Sequence, residues 1–309
     1  MKKANIFFWL LLLSLSVISC ISEDYDNCPK GYYIRFYPQN QKHDLKQMIN
    51  TVDLYLYGED GSLHKEIHRT KEELRPADGA VFIPLLPAGE YKVLALINHD
   101  PSCYEISSYQ KFEEVHTSLP EELIKTPPAD LFVGIKPLEF KQNEKYAMTV
   151  PMKIAKQTNH INLKIVFQDY EQPADAILNS HIYGSNGKFE YSTYSCSNIY
   201  RKYIGHKKDS SQDTNAAFQL TTMRLWAGAD INLVVEEEYP SLGETRSVKI
   251  NLVEELMKVK DEKGELLYDT DEKLEFNDEY DITMTLDGNF VLLELTIDNW
   301  TANGGGVEV

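Results

Sequence analysis

The sequence predicts an all-β protein built of two β-sandwich domains in tandem. Nineteen tyrosines and many Val, Ile and Thr residues favour strands. Short apolar–polar alternations recur along the chain and are separated by turn sequences that contain Gly, Asp or Pro. The chain has 309 residues, more than one domain of usual size, and its 42% apolar and 26% charged residues suit globular domains that bury a core.

The first twenty residues have the features of an export signal. After a positively charged start, residues 6–13 form an apolar run that suits a signal-peptide core and is too short to span a bilayer. Val17-Ile18-Ser19-Cys20 resembles the lipobox of bacterial lipoproteins, in which cleavage precedes the cysteine. We therefore expect a signal peptide over residues 1–19 and lipid on Cys20. The alternative is an ordinary signal peptide that a cysteine happens to follow.

Residues 20–30 are expected to form a lipidated acidic linker. Several acyl chains on one residue give effectively permanent attachment, since each buried methylene contributes about 0.8 kcal/mol. The acidic run Glu23-Asp24-Tyr25-Asp26 resembles the signal that sends some Gram-negative lipoproteins to the outer face of the outer membrane. A merely solvated acidic linker is the alternative. We expect a lipid-anchored protein of the cell outer membrane that faces outward.

The charge of the chain excludes one class of partner. Lys and Arg number 31 against 48 Asp and Glu, so the formal net charge is 31 − 48 = −17. Binding to nucleic acid needs a basic face, so we expect no nucleic-acid partner. Such a charge suits a soluble surface protein that repels other anionic surfaces.

The first domain is assigned to residues 31–156. Alternation predicts strands at 32–37, 52–57, 62–67, 80–85, 90–97, 131–135 and 146–154. Gly58-Glu59-Asp60-Gly61 is a hairpin signal between two of them. Residues 100–130 are polar and hold four prolines, which predicts a long loop that crosses over one domain.

The second domain is assigned to residues 157–309. Strands are expected at 161–167, 217–226, 230–237, 280–286 and 290–297. Ala227-Gly228 and Asp287-Gly288-Asn289 are interpreted as hairpin turns, and residues 192–215 as a polar loop. The spacing of Leu252, Leu256 and Val259 predicts a short surface helix.

Two motifs recur in the same order and suggest a duplicated domain. Tyr57-Gly58-x-x-Gly61 returns as Tyr183-Gly184-x-x-Gly187. Asn143-Glu144-Lys145-Tyr146 before one strand parallels Asn277-Asp278-Glu279-Tyr280 before another.

The order of the motifs resembles the fimbrillin-A-associated anchor proteins of type V pili. The resemblance covers nearly the whole mature chain and rests on the leader and lipobox, Cys28-Pro29, Val52 to Gly61, Leu86 to Val93, Leu131 to Gly134 and Leu295 to Trp300. It implies two transthyretin-like β-sandwich domains, an outer-membrane lipid anchor, pilin (fimbrillin) subunits as partners, and a place at the base of a pilus.

The four cysteines divide between a lipid site and a disulfide. With Cys20 lipidated, three remain in an oxidising compartment, which allows one disulfide and one free thiol. Cys28 and Cys103 both fall at strand ends of the first domain, so we expect them to pair and Cys196 to stay free. The bridge would close a loop of 103 − 28 = 75 residues and stabilise the fold by roughly 4 kcal/mol.

Catalytic and cofactor sites are not expected. The sequence has no Gly-x-Ser-x-Gly, phosphate-binding loop, zinc-binding helix or regular calcium loop. His64 and His68 are interpreted as exposed surface residues, and the acidic pairs as solvated faces. We therefore assign no catalytic residue, metal ligand or cofactor, and we expect the protein not to be an enzyme.

The expected function is to anchor a pilus to the outer membrane and to end the polymer by strand-level contact with a pilin subunit. Whether the protein gives or receives a strand stays open. The alternative is a surface adhesin that binds a glycan or a host molecule through exposed tyrosines.

Replacing Cys20 with serine should release the protein, and any pilus it holds, from the cell. Serine cannot carry the thioether-linked lipid, so the acyl contribution to membrane binding is lost. Counting cell-attached and medium-borne fimbriae measures the effect. Fimbriae that remain on the cell in normal number while the protein is shed would contradict the anchor hypothesis.

Overall fold

The computed structural model describes residues 29–40, 44–74, 79–142, 147–208, 216–298 and 300–302. Strands dominate these residues and are arranged in several sheets, so the all-β prediction is confirmed. Within the described ranges, none of the helices has the length and apolar character needed to cross a membrane.

Described elements before residue 157 include two single-turn helices. In chain order they are β1 (Gly31–Pro38), α1 (Leu45–Met48), β2 (Thr51–Tyr57), β3 (Leu63–Thr70), α2 (Lys71–Leu74), β4 (Val81–Pro84), β5 (Gly89–Ile97), β6 (Glu105–Ile106), a 3₁₀ turn (Phe112–Glu114), β7 (His116–Ser118), β8 (Leu123–Ile124), β9 (Phe132–Phe140) and β10 (Met148–Lys156).

Described elements after residue 157 are again mostly strands. They are β11 (Thr158–Phe167), β12 (Ile177–Gly184), β13 (Lys188–Glu190), β14 (Ser195–Ser197), β15 (Arg201–Ile204), β16 (His206–Lys208), β17 (Ala216–Met223), β18 (Ile231–Tyr239), β19 (Glu244–Asn251), α3 (Leu252–Leu256), α4 (Asp271–Phe276), β20 (Glu279–Leu286), β21 (Leu292–Ile297) and β22 (Trp300–Ala302).

A seven-stranded sheet with the order β3-β2-β5-β9-β10-β1-β4 folds over on itself. The sheet bends between β9 and β10, which pair only at Val133 with Ala155 and at Phe132 with Lys156. Two layers result, and a buried apolar cluster with residues from both layers fills the space between them. Alternation places every second side chain of each strand in this core.

A second buried cluster covers the other face of the β2-β5-β9 layer. It joins Tyr55, Tyr57 and Leu94 of that face to the segment 104–131 and to the sheets formed after residue 158. In that segment, β7 pairs with β13 and β8 pairs with β15. The prediction of a loop over one domain is therefore wrong in this respect, because the segment also adds strands to the later sheets. Its short strands have too few residues to show an alternating pattern.

The same pattern of strand pairing occurs twice along the chain. β1 is parallel to β10 and antiparallel to β4, and β11 is likewise parallel to β20 and antiparallel to β17. β2 lies between β3 and β5, as β12 lies between β15 and β18. Both copies of the Tyr-Gly-x-x-Gly motif begin at the end of the equivalent strand, β2 or β12.

Two sequence expectations for the second half are wrong. β17 and β18 do not form the predicted hairpin, because β17 pairs with β11 and β16 whereas β18 pairs with β12 and β19. The chain passes from one sheet to another at this turn, because β17 and β18 belong to different sheets. Residues 192–215, expected to be a loop, contain β14, β15 and β16. The short helix predicted at residues 252–259 is confirmed as α3, whereas α4 was not predicted.

Replacing Gly134 with alanine should lower the free energy of unfolding by about 1–3 kcal/mol. A Cβ there would lie 2.8 Å from the carbonyl oxygen of Lys153 and 2.9 Å from side-chain atoms of Met152 and Ile154. Urea denaturation of the two proteins measures the difference. Gly58→Ala is the matched control, since its nearest atom, in Asp60, is 3.4 Å away. If Gly134→Ala and Gly58→Ala changed the free energy of unfolding equally, the close packing at the bend between β9 and β10 would be contradicted.

Candidate functional site

The first strand, β1, is an interior strand of its sheet and lies second from the edge, between β10 and the edge strand β4. It pairs with β10 over seven residue pairs and with β4 over four. Tyr32, Ile34 and Phe36 are buried in the core between the two layers. We call β1 with its neighbours β4 and β10 the first-strand site, because removal of β1 would open a groove through this core.

Side-chain contacts hold the beginning of β1 against the opposite layer. The ring of Tyr32 packs edge-on against Phe140, with ring centroids 4.8 Å apart. The Tyr32 hydroxyl donates a hydrogen bond of 2.7 Å to the carbonyl oxygen of Glu139. These contacts link β1 to β9, which lies in the other layer.

Polar contacts hold the residues that follow β1. The backbone N–H of Gln39 donates to the carbonyl oxygen of Ile154 at 2.8 Å. The Gln39 amide donates to Glu275 at 3.3 Å, and the Asn40 amide donates to Asp278 at 3.2 Å. Both acceptors lie more than 230 residues further along the chain, so the end of β1 is connected directly to the segment before β20.

A cluster of charges lies where β10 passes into β11. Lys156, whose side chain is 4% exposed, lies 3.1 Å from the carboxylate of Asp130 and 3.3 Å from that of Asp278. His160 Nε2 lies 2.9 Å from Asp130, which also accepts a hydrogen bond from the hydroxyl of Thr158. A lysine buried to this degree requires such partners, because desolvating an unpaired charge costs several kcal/mol.

The pKa of Asp130 reflects this cluster. Burial alone would raise it, but the hydrogen bond from His160 and the charge of Lys156 outweigh burial and lower the pKa to about 2. The carboxylate is therefore charged throughout the physiological range and balances Lys156.

A second ion pair lies beside the first-strand site. Arg224 Nη1 is 2.7 Å from Glu275, and both side chains are less than 10% exposed. Glu275 also accepts a hydrogen bond from the hydroxyl of Tyr194. The guanidinium group of Arg224 lies 3.9 Å from the ring centre of Trp226, a cation–π contact. Glu275 is thus fixed as the acceptor for the Gln39 amide.

The edges of the sheets are poor sites for uncontrolled strand addition. Among the described edge strands, only β3 and β19 are longer than four residues. Both carry charged residues along their length, which discourages edge-to-edge pairing. Residues 134–140 of β9 and 148–154 of β10 also lack a second paired strand within the described chain. Pro137 and Pro151 interrupt these two stretches.

The predicted site residues are only partly within the described chain. Cys20 and Cys28 lie outside it, so the lipid site and the Cys28–Cys103 disulfide stay predictions. Within the described chain, Cys103 and Cys196 form no disulfide, and burial raises the pKa of the Cys196 thiol to about 12. In the described residues, no group of His, Cys, Asp and Glu side chains is placed to hold a metal ion.

Sequence reasoning missed the polar contacts of the first-strand site. In the sequence, Lys156 marks only the end of the first domain, and Asp278 is only part of a repeated motif. Nothing in the sequence near Gln39 and Asn40 indicates their hydrogen bonds, because their partners are 236 and 238 residues away in the chain. Only the alternation of β1 itself could be recognised from the sequence.

Comparison with known proteins defines the class of this chain. The sequence model of the fimbrillin-A associated anchor proteins Mfa1 and Mfa2 matches residues 25–303. The chain therefore belongs to this family of fimbrial anchor proteins, and the resemblance noted in the sequence is confirmed. A comparison with curated proteins finds no significant match.

Solved structures share the fold over almost the whole chain. The fimbrial anchor protein Mfa2 from Porphyromonas gingivalis is 18% identical, with a TM-score of 0.69 over 90% of this chain and 100% of its own. A candidate polysaccharide-binding protein from Bacteroides thetaiotaomicron is 17% identical, with a TM-score of 0.74 over 89% and 97%. A candidate adhesin from Bacteroides ovatus is 18% identical, with a TM-score of 0.72 over 93% and 98%. At these identities, the likeness concerns the fold.

Replacing Asp130 with asparagine should lower the free energy of unfolding at pH 7 by about 1–3 kcal/mol, because Lys156 loses a charged partner. A carboxylate with a depressed pKa stabilises the fold above its unfolded pKa, and this contribution is lost as the pH falls towards about 2. The variant should therefore lose less stability than the wild type between pH 4 and pH 2.

Urea denaturation at a series of pH values measures this difference. Asp281→Asn is the control, since Asp281 is exposed and accepts a hydrogen bond from Asn162. Identical pH profiles for wild type and Asp130→Asn would contradict the assigned role of Asp130.

Proposed function

We propose that this protein is an outer-membrane lipoprotein that anchors a type V pilus to the cell surface and ends the polymer. Membership of the fimbrial anchor family supports a role in fimbriae. The observation that carries the finer proposal is the position of β1, between β4 and β10 and directly after the linker 20–30.

The position of β1 suits it to bear load from a membrane tether. The lipid on Cys20 would pull on the chain at Gly31, the first residue of β1, along the direction of the strand. Such a pull loads the pairings with β10 and β4 together, in shear, instead of opening them one after another. The Gln39 and Asn40 contacts would hold the far end of the strand.

The same position explains why the protein would end a polymer. A type V pilin accepts a strand from its neighbour after trimming opens a groove. In this chain the corresponding groove is filled by β1, which remains joined to the lipidated residue. Trimming that removed β1 would also remove the membrane attachment. Contact with a pilin must then use another strand or edge of this protein.

We further propose that residues 31–156 and 157–309 form two transthyretin-like sandwich domains. The repeated strand pairing and the repeated motif at the ends of β2 and β12 support this division. The buried cluster that joins both halves would make them move as one body under load. The expected disulfide between Cys28 and Cys103 would connect the linker to the first domain.

A chain nicked between Asn40 and Asp44 tests the role of β1. A protease site is inserted there in a Cys28→Ser variant, in which the expected disulfide cannot hold the two fragments together, and it is cleaved after the lipidated protein has folded in membranes. The proposal predicts that the body of the protein stays membrane-bound, because β1 is held by its pairings and by three buried side chains.

Competing peptides then distinguish strand exchange from other attachments. Excess peptide with the sequence of residues 29–40 should displace β1 and release the body into solution. The same peptide with Ile34→Asp should not, because it would bury a charge in the core. Release of the nicked body without peptide, or equal release by both peptides, would contradict the role assigned to β1.

A further inference from the structure

A large groove lies between the end of β1, strand β10 and helix α4. Its volume is about 1350 Å³, which exceeds the 300–1,000 Å³ of ordinary small-molecule pockets. Tyr37 and Lys153 line it on the strand side, and Glu272 and Phe276 line it on the helix side. We call it the Tyr37–Phe276 groove. Its size suits a ligand of several linked units.

Two aromatic rings in this groove are unusually exposed. Tyr37 is 45% exposed and Phe276 is 50% exposed, although most of the large apolar side chains of the described chain are buried. A single exposed ring needs no explanation, but two rings that line one groove from different elements form a patch. Flat apolar rings of this kind bind ligands that present apolar faces.

The polar lining of the groove carries both signs of charge. Lys153 and Glu272 lie in it with the amides of Gln39 and Asn277. The groove therefore selects neither for a cation nor for an anion, and its amides and charged groups can bind many hydroxyl groups at once. A neutral ligand that is rich in hydroxyl groups fits this lining.

An extended peptide fits the groove less well. A peptide usually binds a sheet by adding a strand through main-chain hydrogen bonds. The strands that line the groove carry Pro38 and Pro151 at this point, and proline has no N–H to donate. Recognition in the groove must therefore depend on side chains and rings.

We propose that the Tyr37–Phe276 groove binds a neutral oligosaccharide. Sugar rings pack their C–H faces against Tyr37 and Phe276. The amide nitrogens of Gln39 and Asn277 already donate to Glu275 and to the carbonyl oxygen of Glu279, so their amide oxygens accept hydrogen bonds from sugar hydroxyls. This binding is independent of the pilus-anchor role, and it would give the surface protein a second function as a glycan-binding adhesin.

Affinity electrophoresis of the full-length lipidated protein in detergent tests the proposal. Gels are prepared with starch, dextran, xylan or mannan as neutral probes and with alginate as the anionic probe. At least one neutral polysaccharide should retard the wild type, and alginate should not. Tyr37→Ala and Phe276→Leu should each weaken that retardation about tenfold, because each removes one ring face.

Matched variants separate loss of binding from loss of folding. Tyr37→Phe keeps the ring and should retain most of the binding. Phe276→Leu keeps an apolar side chain at an exposed position, so the melting temperature of this variant should equal that of the wild type. Tyr183→Ala removes another exposed ring, which is 39% exposed outside the groove, and should bind normally.

Three results would overturn the proposal. One is the absence of retardation by all four neutral probes. Another is retardation by alginate alone, which would indicate an anionic ligand. The third is a loss of retardation for Phe276→Leu that is no greater than the loss for Tyr183→Ala.

Discussion

Strand β1 fills the space between β4 and β10, and its buried side chains complete the core between the two layers of the seven-stranded sheet. Tyr32, Ile34 and Phe36 point into that core, so the strand cannot leave without exposing it to water. If the predicted lipid linker enters the fold at this strand, the part of the chain that would bear the load is also among its best buried parts. This arrangement suits a fixed attachment better than an exchangeable one.

Buried charges fix the position of the chain on either side of this strand. Lys156 lies at the end of β10, between Asp130 and Asp278, and Asp278 in turn accepts the Asn40 amide. Buried ion pairs often add little net stability, but leaving one partner unpaired is costly. The cluster therefore acts through geometry, because it holds the end of β1, the end of β10 and the start of β20 in one arrangement. Glu275, held by Arg224, does the same for Gln39.

Local patterns were sufficient for many strands but not for their partners. β1, β2, β5, β11 and β20 show a period of two in their sequences, and that signal depends only on neighbouring residues. The false hairpin between β17 and β18 has good strands and a good turn, yet the strands pair elsewhere because the chain changes sheets. The contacts of Gln39 and Asn40 depend on residues 236 and 238 positions away in the chain, so no local pattern could predict them. Cys20 is the opposite case, because it lies outside the described residues and only the sequence indicates its role.

The position of this protein along an intact fibre tests the central claim most directly. Fimbriae are sheared gently from cells in which this protein is the only gold-labelled antigen, and they are examined by electron microscopy. The account predicts label at a single end of a fibre, because a subunit whose groove is filled by its own first strand can occupy only a terminus. Label distributed along the shaft would contradict it, since the protein would then accept a neighbour's strand as an ordinary subunit does.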